Sequence, residues 1–269
     1  MIASSKDITV RRVLVALDSS PESRALLDLA ADLAECLESS LLGLFVEDQD
    51  ILDFTDLPIA RQVSSTGTGV RDLTRQHMES HYRSQAAAAR RAVESAAARR
   101  RIDCAFETRR GRIAAEIGAV ARAWDLIAVS PSVGQATRKH GSDLLATLAP
   151  GASGLLTLAG LRTVRATGPV TAVYTASPAA DAAVGIAGRI AARWGERPRI
   201  VMMGNIDDNQ STPASEAEHL HLPAETTLAA YLGVTRPRLI VLPADLSDDD
   251  RQAVAKLGFP VLVVTSKSG

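Results

Sequence analysis

The chain has 269 residues, 46% of them hydrophobic and 3% aromatic, with a formal net charge of −1. That length serves two domains of ordinary size with cores of Leu, Val, Ile and Ala, and the near-zero charge gives no reason to expect nucleic acid or an acidic membrane surface as partner. Residues 1–10 hold no apolar run of signal-peptide length, and no stretch of about 18 apolar residues occurs anywhere, so a cytoplasmic protein without membrane insertion is expected.

Taken in order, the first element is an apolar strand over Arg12 to Leu17, of the kind found in parallel sheets covered on both faces. Ser20 is placed to cap a helix with Pro21 and Glu22 in its first turn and Leu26, Leu27, Leu29, Leu33 and Leu37 at helical spacing. A second strand runs from Leu41 to Val46. A polar connection from Glu47 to Gly69 leads to a long charged helix, Val70 to Arg100, whose alanine runs favour helix. Its face with Met78, Tyr82, Ala89 and Val93 should pack on the sheet. A third strand covers Ile102 to Thr108, Gly111 opens a helix, and a fourth strand runs from Asp125 to Ser130. A loop, Pro131 to His140, precedes a short helix from Ser142 to Leu148 and a fifth strand from Gly154 to Ala159. This alternation implies a parallel sheet with helices on both faces.

The pattern then repeats. Val170 to Tyr174 runs into Thr175-Ala176-Ser177-Pro178 as Val13 to Leu17 runs into Asp18-Ser19-Ser20-Pro21, and the two prolines are 157 positions apart. Further strands are expected at Arg199 to Met203, Glu218 to Leu222, Arg238 to Leu242 and Pro260 to Thr265. Arg238-Leu239-Ile240-Val241-Leu242 corresponds to Asp125-Leu126-Ile127-Ala128-Val129. The reading is a tandem duplication, with domains at residues 1–162 and 168–269 and a boundary between Leu158 and Pro169. The second copy is shorter because it lacks the long connection and long helix.

The order of these motifs resembles the universal stress protein family in its tandem form. The matching residues are the strand ending in Asp18-Ser19-Ser20, Leu42-Gly43-Leu44-Phe45-Val46-Glu47-Asp48, Gly111, Asp125 to Val129, and Gly141-Ser142. The resemblance covers the first half well and the second weakly. It implies an α/β fold of the adenine nucleotide alpha hydrolase-like kind: two parallel five-stranded open sheets flanked by helices, related by an approximate twofold axis. It also implies either a monomer with paired domains or a homodimer, and ATP or another adenine nucleotide as the cofactor to consider in the first domain.

In nucleotide-binding members the ligand lies at the carboxyl ends of the strands, and a glycine loop wraps the phosphates, since glycines and a helix N-terminus let backbone N–H groups approach them. The carry-over places a candidate site at Asp18, Val46, Gly111, Ser130, Gly134, Gly141 and Ser142. The match is partial. The opening glycine pair of the loop is replaced by Ser130-Pro131-Ser132-Val133-Gly134, six residues instead of nine separate Gly134 from Gly141, and Pro131 has no backbone donor. In the second copy Thr175 replaces Asp18, and the loop Pro243 to Asp250 has no glycine and four acids, which suit a helix N-terminus and would repel a triphosphate.

Other patterns read as ordinary surface or as minor candidates. His77 and His81 share a helix face without an evident third ligand; His219 and His221 point to one side of a strand. Arg110 or Arg112, beside Gly111, could meet an anion. Cys36 and Cys104 lack metal-ligand spacing and read as buried reduced thiols. No phosphate-binding, nucleophile-elbow or zinc-protease motif is present. The expectation is a non-enzymatic stress-response or signalling module that binds an unknown protein partner or a small ligand. The alternative is an ATP-binding, slowly hydrolysing protein with its site in the first domain.

Overall fold

The computed structural model describes residues 9–18, 20–55, 61–63, 70–72, 74–130, 153–158, 168–204, 217–223 and 225–265. In the first half β1 (Arg12–Leu17), β2 (Ser40–Asp48), β5 (Cys104–Gly111), β6 (Asp125–Val129) and β7 (Gly154–Leu158) lie side by side in the order β5-β2-β1-β6-β7, all parallel. In the second half β8 (Val170–Tyr174), β9 (Arg199–Met202), β10 (Glu218–His221), β11 (Leu239–Pro243) and β12 (Pro260–Val264) repeat that order as β10-β9-β8-β11-β12, again all parallel. Two parallel five-stranded sheets are therefore present as expected. They are not separate bodies, however: β7 and β12 pair antiparallel and join them into one ten-stranded sheet.

The seam has the register of a local twofold axis. Leu156, central in β7, faces Leu262, central in β12, and the pairing runs symmetrically outward to Gly154 opposite Val264 and Leu158 opposite Pro260. An isologous contact of this kind sets equivalent positions face to face only at the axis, and elsewhere pairs the start of each strand with the end of the other.

The helices are α1 (Pro21–Cys36), α2 (Gln49–Thr55), α3 (Arg75–Arg100), α4 (Ile113–Val120), α5 (Pro178–Arg193), α6 (Leu228–Thr235) and α7 (Asp248–Ala255). Ser20 and Ser177 each accept a hydrogen bond from the backbone three residues on, and Pro21 and Pro178 open their helices, so the repeated Ser-Pro unit does the same work twice. Alternation along the strands splits the core. Val13, Val15 and Leu17 face one side of the sheet with α1, α3 and α5, in a single apolar cluster that runs across both halves from Leu26 to Val264. On the other side each half has its own core: Leu14, Ala16, Leu42 and Leu44 under α4, and Val201, Ile240, Leu242 and Val263 under α6 and α7.

The long helix differs from expectation at its start. Val70–Asp72 is not its first turn but one strand (β4) of a small antiparallel hairpin with Arg61–Val63 (β3), and the helix begins at Arg75 with Thr74 as its cap. The helix then packs as its sequence demands. Met78, Tyr82, Ala86 and Ala89 pack with Phe45, Leu52 and Phe106, and Val93 enters the shared core. The strand expected at Ile102 starts later and runs further, to Gly111. The short helix expected at Ser142 to Leu148, the segment between the two halves at 159–167 and the loop from Asn205 to Ser215 lie outside the described residues. Among the described residues, no helix is long and apolar enough to cross a membrane.

Candidate functional site

All strands of the first half end at one edge, and the crevice outside β1 and β6 is where the strand order reverses. Asp18 follows β1 and Ser130 follows β6 on adjacent strands, so these two candidates meet at that switch point. Val46 is near the end of β2, and Gly111 ends β5. These four residues span the edge from β5 to β6, roughly 14 Å at the usual strand spacing. Gly134, Gly141 and Ser142 lie outside the described residues.

The chemistry at each described position is local before it is anything else. The Asp18 carboxylate accepts from the Ser20 backbone N–H at 2.8 Å and from the Ser20 hydroxyl at 2.5 Å, while the Asp18 N–H donates to Ser23 Oγ at 3.0 Å. Asp18 thus orders the turn into α1. Val46 packs against the core under α4. Ser130 is buried. Gly111 has φ of 155°, and a Cβ there would come within 2.5 Å of Glu116 Oε1, so the carboxylate of the first turn of α4 closes over the glycine.

The arginines beside Gly111 are committed to carboxylates. Arg110 bridges Glu47 at 2.7 Å and Glu79 at 3.4 Å, and the Glu47 hydrogen bond raises its pKa above the usual guanidinium value. Arg112 lies 3.5 Å from Asp50. Each arginine read as a contact for an anion thus has a carboxylate partner here. The same edge is acidic in its own right. Asp48 is buried, and its carboxylate caps α2 by accepting from the Asp50 N–H at 3.0 Å; burial, the largest influence, raises its pKa. Tyr82, packed beneath, is pushed up to about 12 by burial and by the neighbouring Asp48.

In the second half Thr175 Oγ1 lies 3.3 Å from Ser177 Oγ, in place of the carboxylate–serine contact around Asp18. Asp248, Asp249 and Asp250 occupy the first turn of α7, with Ser247 and Asp250 exchanging hydrogen bonds as a capping pair. His77 lies in the first turn of α3, its N–H donating to Thr74, while His81 Nε2 lies 2.8 Å from Gln85 Nε2. His219 and His221 are exposed on β10. No group of three His, Cys, Asp or Glu side chains placed to hold a metal ion occurs among the described residues.

This topology, with its reversal between β1 and β6 and its repetition about a twofold seam, is matched across nearly the whole chain by known structures. The chain has the fold of the universal stress proteins. A universal stress protein from Archaeoglobus fulgidus DSM 4304 is similar at TM-score 0.66 and 13% identity, with 97% of this chain and 98% of that chain covered. A candidate universal stress protein from Pseudomonas aeruginosa UCBPP-PA14 is similar at TM-score 0.57 and 15% identity, covering 95% and 93%. The cytoplasmic domain of a prokaryotic cation chloride cotransporter is similar at TM-score 0.55 and 9% identity, covering 96% and 97%. At these identities the likeness is one of fold. Neither a model of a protein family nor a curated protein matches the sequence.

What the sequence reading missed is the pairing state of the edge. Glu47 and Glu79 are 32 positions apart, and only the approach of α3 to the end of β5 brings both to Arg110. The acidic run Glu47-Asp48-Gln49-Asp50 was the available signal that arginines nearby would find carboxylate partners.

Proposed function

We propose that this protein is a non-enzymatic stress-response or signalling module of two universal-stress-protein-like domains, residues 1–162 and 168–269. It works in the cytoplasm by binding a protein partner or a small ligand rather than by turning over ATP. The observation that carries this reading is the state of Arg110: the guanidinium best placed at the carboxyl edge of the first half is already held by Glu47 and Glu79. A triphosphate arriving there would have to break those pairs against a fixed acidic background. The loop with a single glycine before Gly141 points the same way. That a cotransporter's cytoplasmic domain shares the fold is in keeping with a module that acts on a partner.

The test is calorimetry with ATP and Mg²⁺ on the intact protein and on Gly141→Val. Weak or absent heat in both is expected. Tight binding that the substitution abolishes would favour the alternative: an ATP-binding, slowly hydrolysing protein whose site comprises Asp18, Val46, Gly111, Ser130, Gly134, Gly141 and Ser142.

A further inference from the structure

A groove of about 260 Å³ opens between the first turns of α1 and the middle of α3. Its apolar wall is Leu17, Leu27, Ala89 and Ala92, and its polar lining includes Asp18, Arg24 and Ser84. The groove exists because α3 turns short alanine side chains toward α1 here. Further along the same helix pair the two helices are instead clamped, by Arg99 to Asp28 at 2.7 Å and Arg100 to Asp32 at 2.6 Å. The groove lies on the α1 and α3 side of the sheet and shares only Asp18 with the candidate nucleotide edge.

Two charges in it are unspent. Both Ser20 hydrogen bonds fall on Asp18 Oδ1, and Oδ2 has no partner among the described residues. Arg24 is exposed and makes no ion pair or hydrogen bond among the described residues, unlike Arg99 and Arg100. A carboxylate and a guanidinium that do not bond each other, set beside an apolar wall, complement a small molecule that carries both an ammonium and a carboxylate on an apolar body. The geometry points to a free apolar α-amino acid as ligand, its ammonium on Asp18 Oδ2, its carboxylate on Arg24 and its side chain against Ala89, Ala92 and Leu27. A ligand with the carboxylate alone meets repulsion from Asp18, and one with the amine alone meets repulsion from Arg24, so the pair selects for the zwitterion. This inference rests on the small-ligand form of the proposed function and names its ligand class.

The experiment is a titration of the intact ¹⁵N-labelled protein with L-leucine, 4-methylpentanoate and 3-methylbutylamine, followed by amide shifts. Leucine should move residues in the first turns of α1 and residues 81–92 of α3. The two single-charge analogues should bind at least about tenfold more weakly, as loss of one charge-assisted contact implies. Arg24→Ala should weaken leucine to the same degree. Ala88→Leu, on an exposed position lining the groove, should abolish binding while the thermal melt stays unchanged. No shift at about 10 mM leucine, an analogue binding as well as leucine, or an unaltered affinity in Arg24→Ala would each overturn the assignment. These outcomes separate from those of the broader reading: absent leucine binding with absent ATP binding removes only the ligand named here, whereas tight ATP binding removes the module reading whatever leucine does.

Discussion

The two halves of this chain share a strand order and differ in what covers one face, and the difference is written into a single strand position. In the first half Val15 of β1 pairs with Gly43 of β2; in the second Ala172 of β8 pairs with Ile200 of β9. Gly43 lies under α3, where an added Cβ would come within 2.5 Å of Val93 Cγ2 and 3.0 Å of Phe106. Ile200 is fully buried in the shared core, and among the described residues no long helix follows its strand. A helix that sits close to the sheet requires a glycine beneath it, and where the helix is missing a branched side chain fills the space instead.

The sharpest way to break this comparison is to exchange the two solutions. Ile200→Ala should destabilise the protein by about 4 kcal/mol, through lost transfer energy and the cavity left behind. Gly43→Ala should cost about 2 kcal/mol by overpacking against Val93. Urea unfolding would measure both, and a neutral Gly43→Ala would show that α3 does not press on β2.

A second contrast lies at the other edge of the sheet. Asp125, fully buried at the start of β6, accepts from Arg12 at 3.0 and 2.6 Å and from the Arg122 backbone at 2.8 Å. At the corresponding place in the second half Arg238 lies 3.6 Å over the Trp194 ring, with the Glu196 carboxylate near enough to feel its charge. Asp125→Ala leaves a half-buried guanidinium unpaired and should cost about 3 kcal/mol. Arg238→Ala removes a stacked cation and should cost about 1 kcal/mol. Equal costs in thermal or chemical melts would erase the distinction.

Cys36 has Arg193 as its counterpart in the second half. Burial, then Asp32 and Glu35, push the Cys36 thiol from 9.0 up to about 11. The folded value lies above the unfolded one, so stability is unaffected below pH 9. Above it the unfolded chain loses the proton first, and stability declines between about pH 9 and 11. The loss at full titration is between about 2 and 3 kcal/mol. Cys36→Ala should flatten that part of the profile, and Cys104, exposed where a buried thiol was expected, should be alkylated in the native protein while Cys36 is spared.

The smallest effect concerns the caps. Ser177→Ala should cost about 1 kcal/mol. Ser20→Ala should cost somewhat more, because Ser20 also donates to Asp18. Identical losses would mean that the Asp18 turn adds nothing to the cap.

The elements most legible in the sequence are those fixed by local chemistry. The Ser-Pro helix starts, the apolar strands and the Met78–Tyr82–Val93 face follow from capping, burial and helical spacing, and the structure has them all. What the sequence hides depends on partners distant along the chain. The β3–β4 hairpin takes residues that read as a helix start, because pairing with residues 61–63 outweighs helix propensity in a short stretch. The joining of two sheets through β7 and β12 needs an edge-to-edge contact that no local pattern encodes. At the candidate site, Asp18 and Ser130 were legible as strand-end residues on neighbouring strands. The neutralisation of Arg110 and Arg112 was not, since it arises from helices converging on the edge.

The seam between β7 and β12 has a consequence for how such a molecule can change. In an assembly of two identical chains every substitution is made twice, once on each side of the axis. Here each is made once. Arg193 bridges Glu35, and Arg189 donates to the Leu37 carbonyl, across the contact between α5 and α1. The positions that would form the mirror images of these bonds hold Cys36 with Ala192, and Asp32 with Trp194. Because the two halves lie in one chain, their association is also independent of protein concentration. Freed from both symmetry and dilution, one half can keep a long helix and a groove while the other differs, without either losing the neighbour that shares its core.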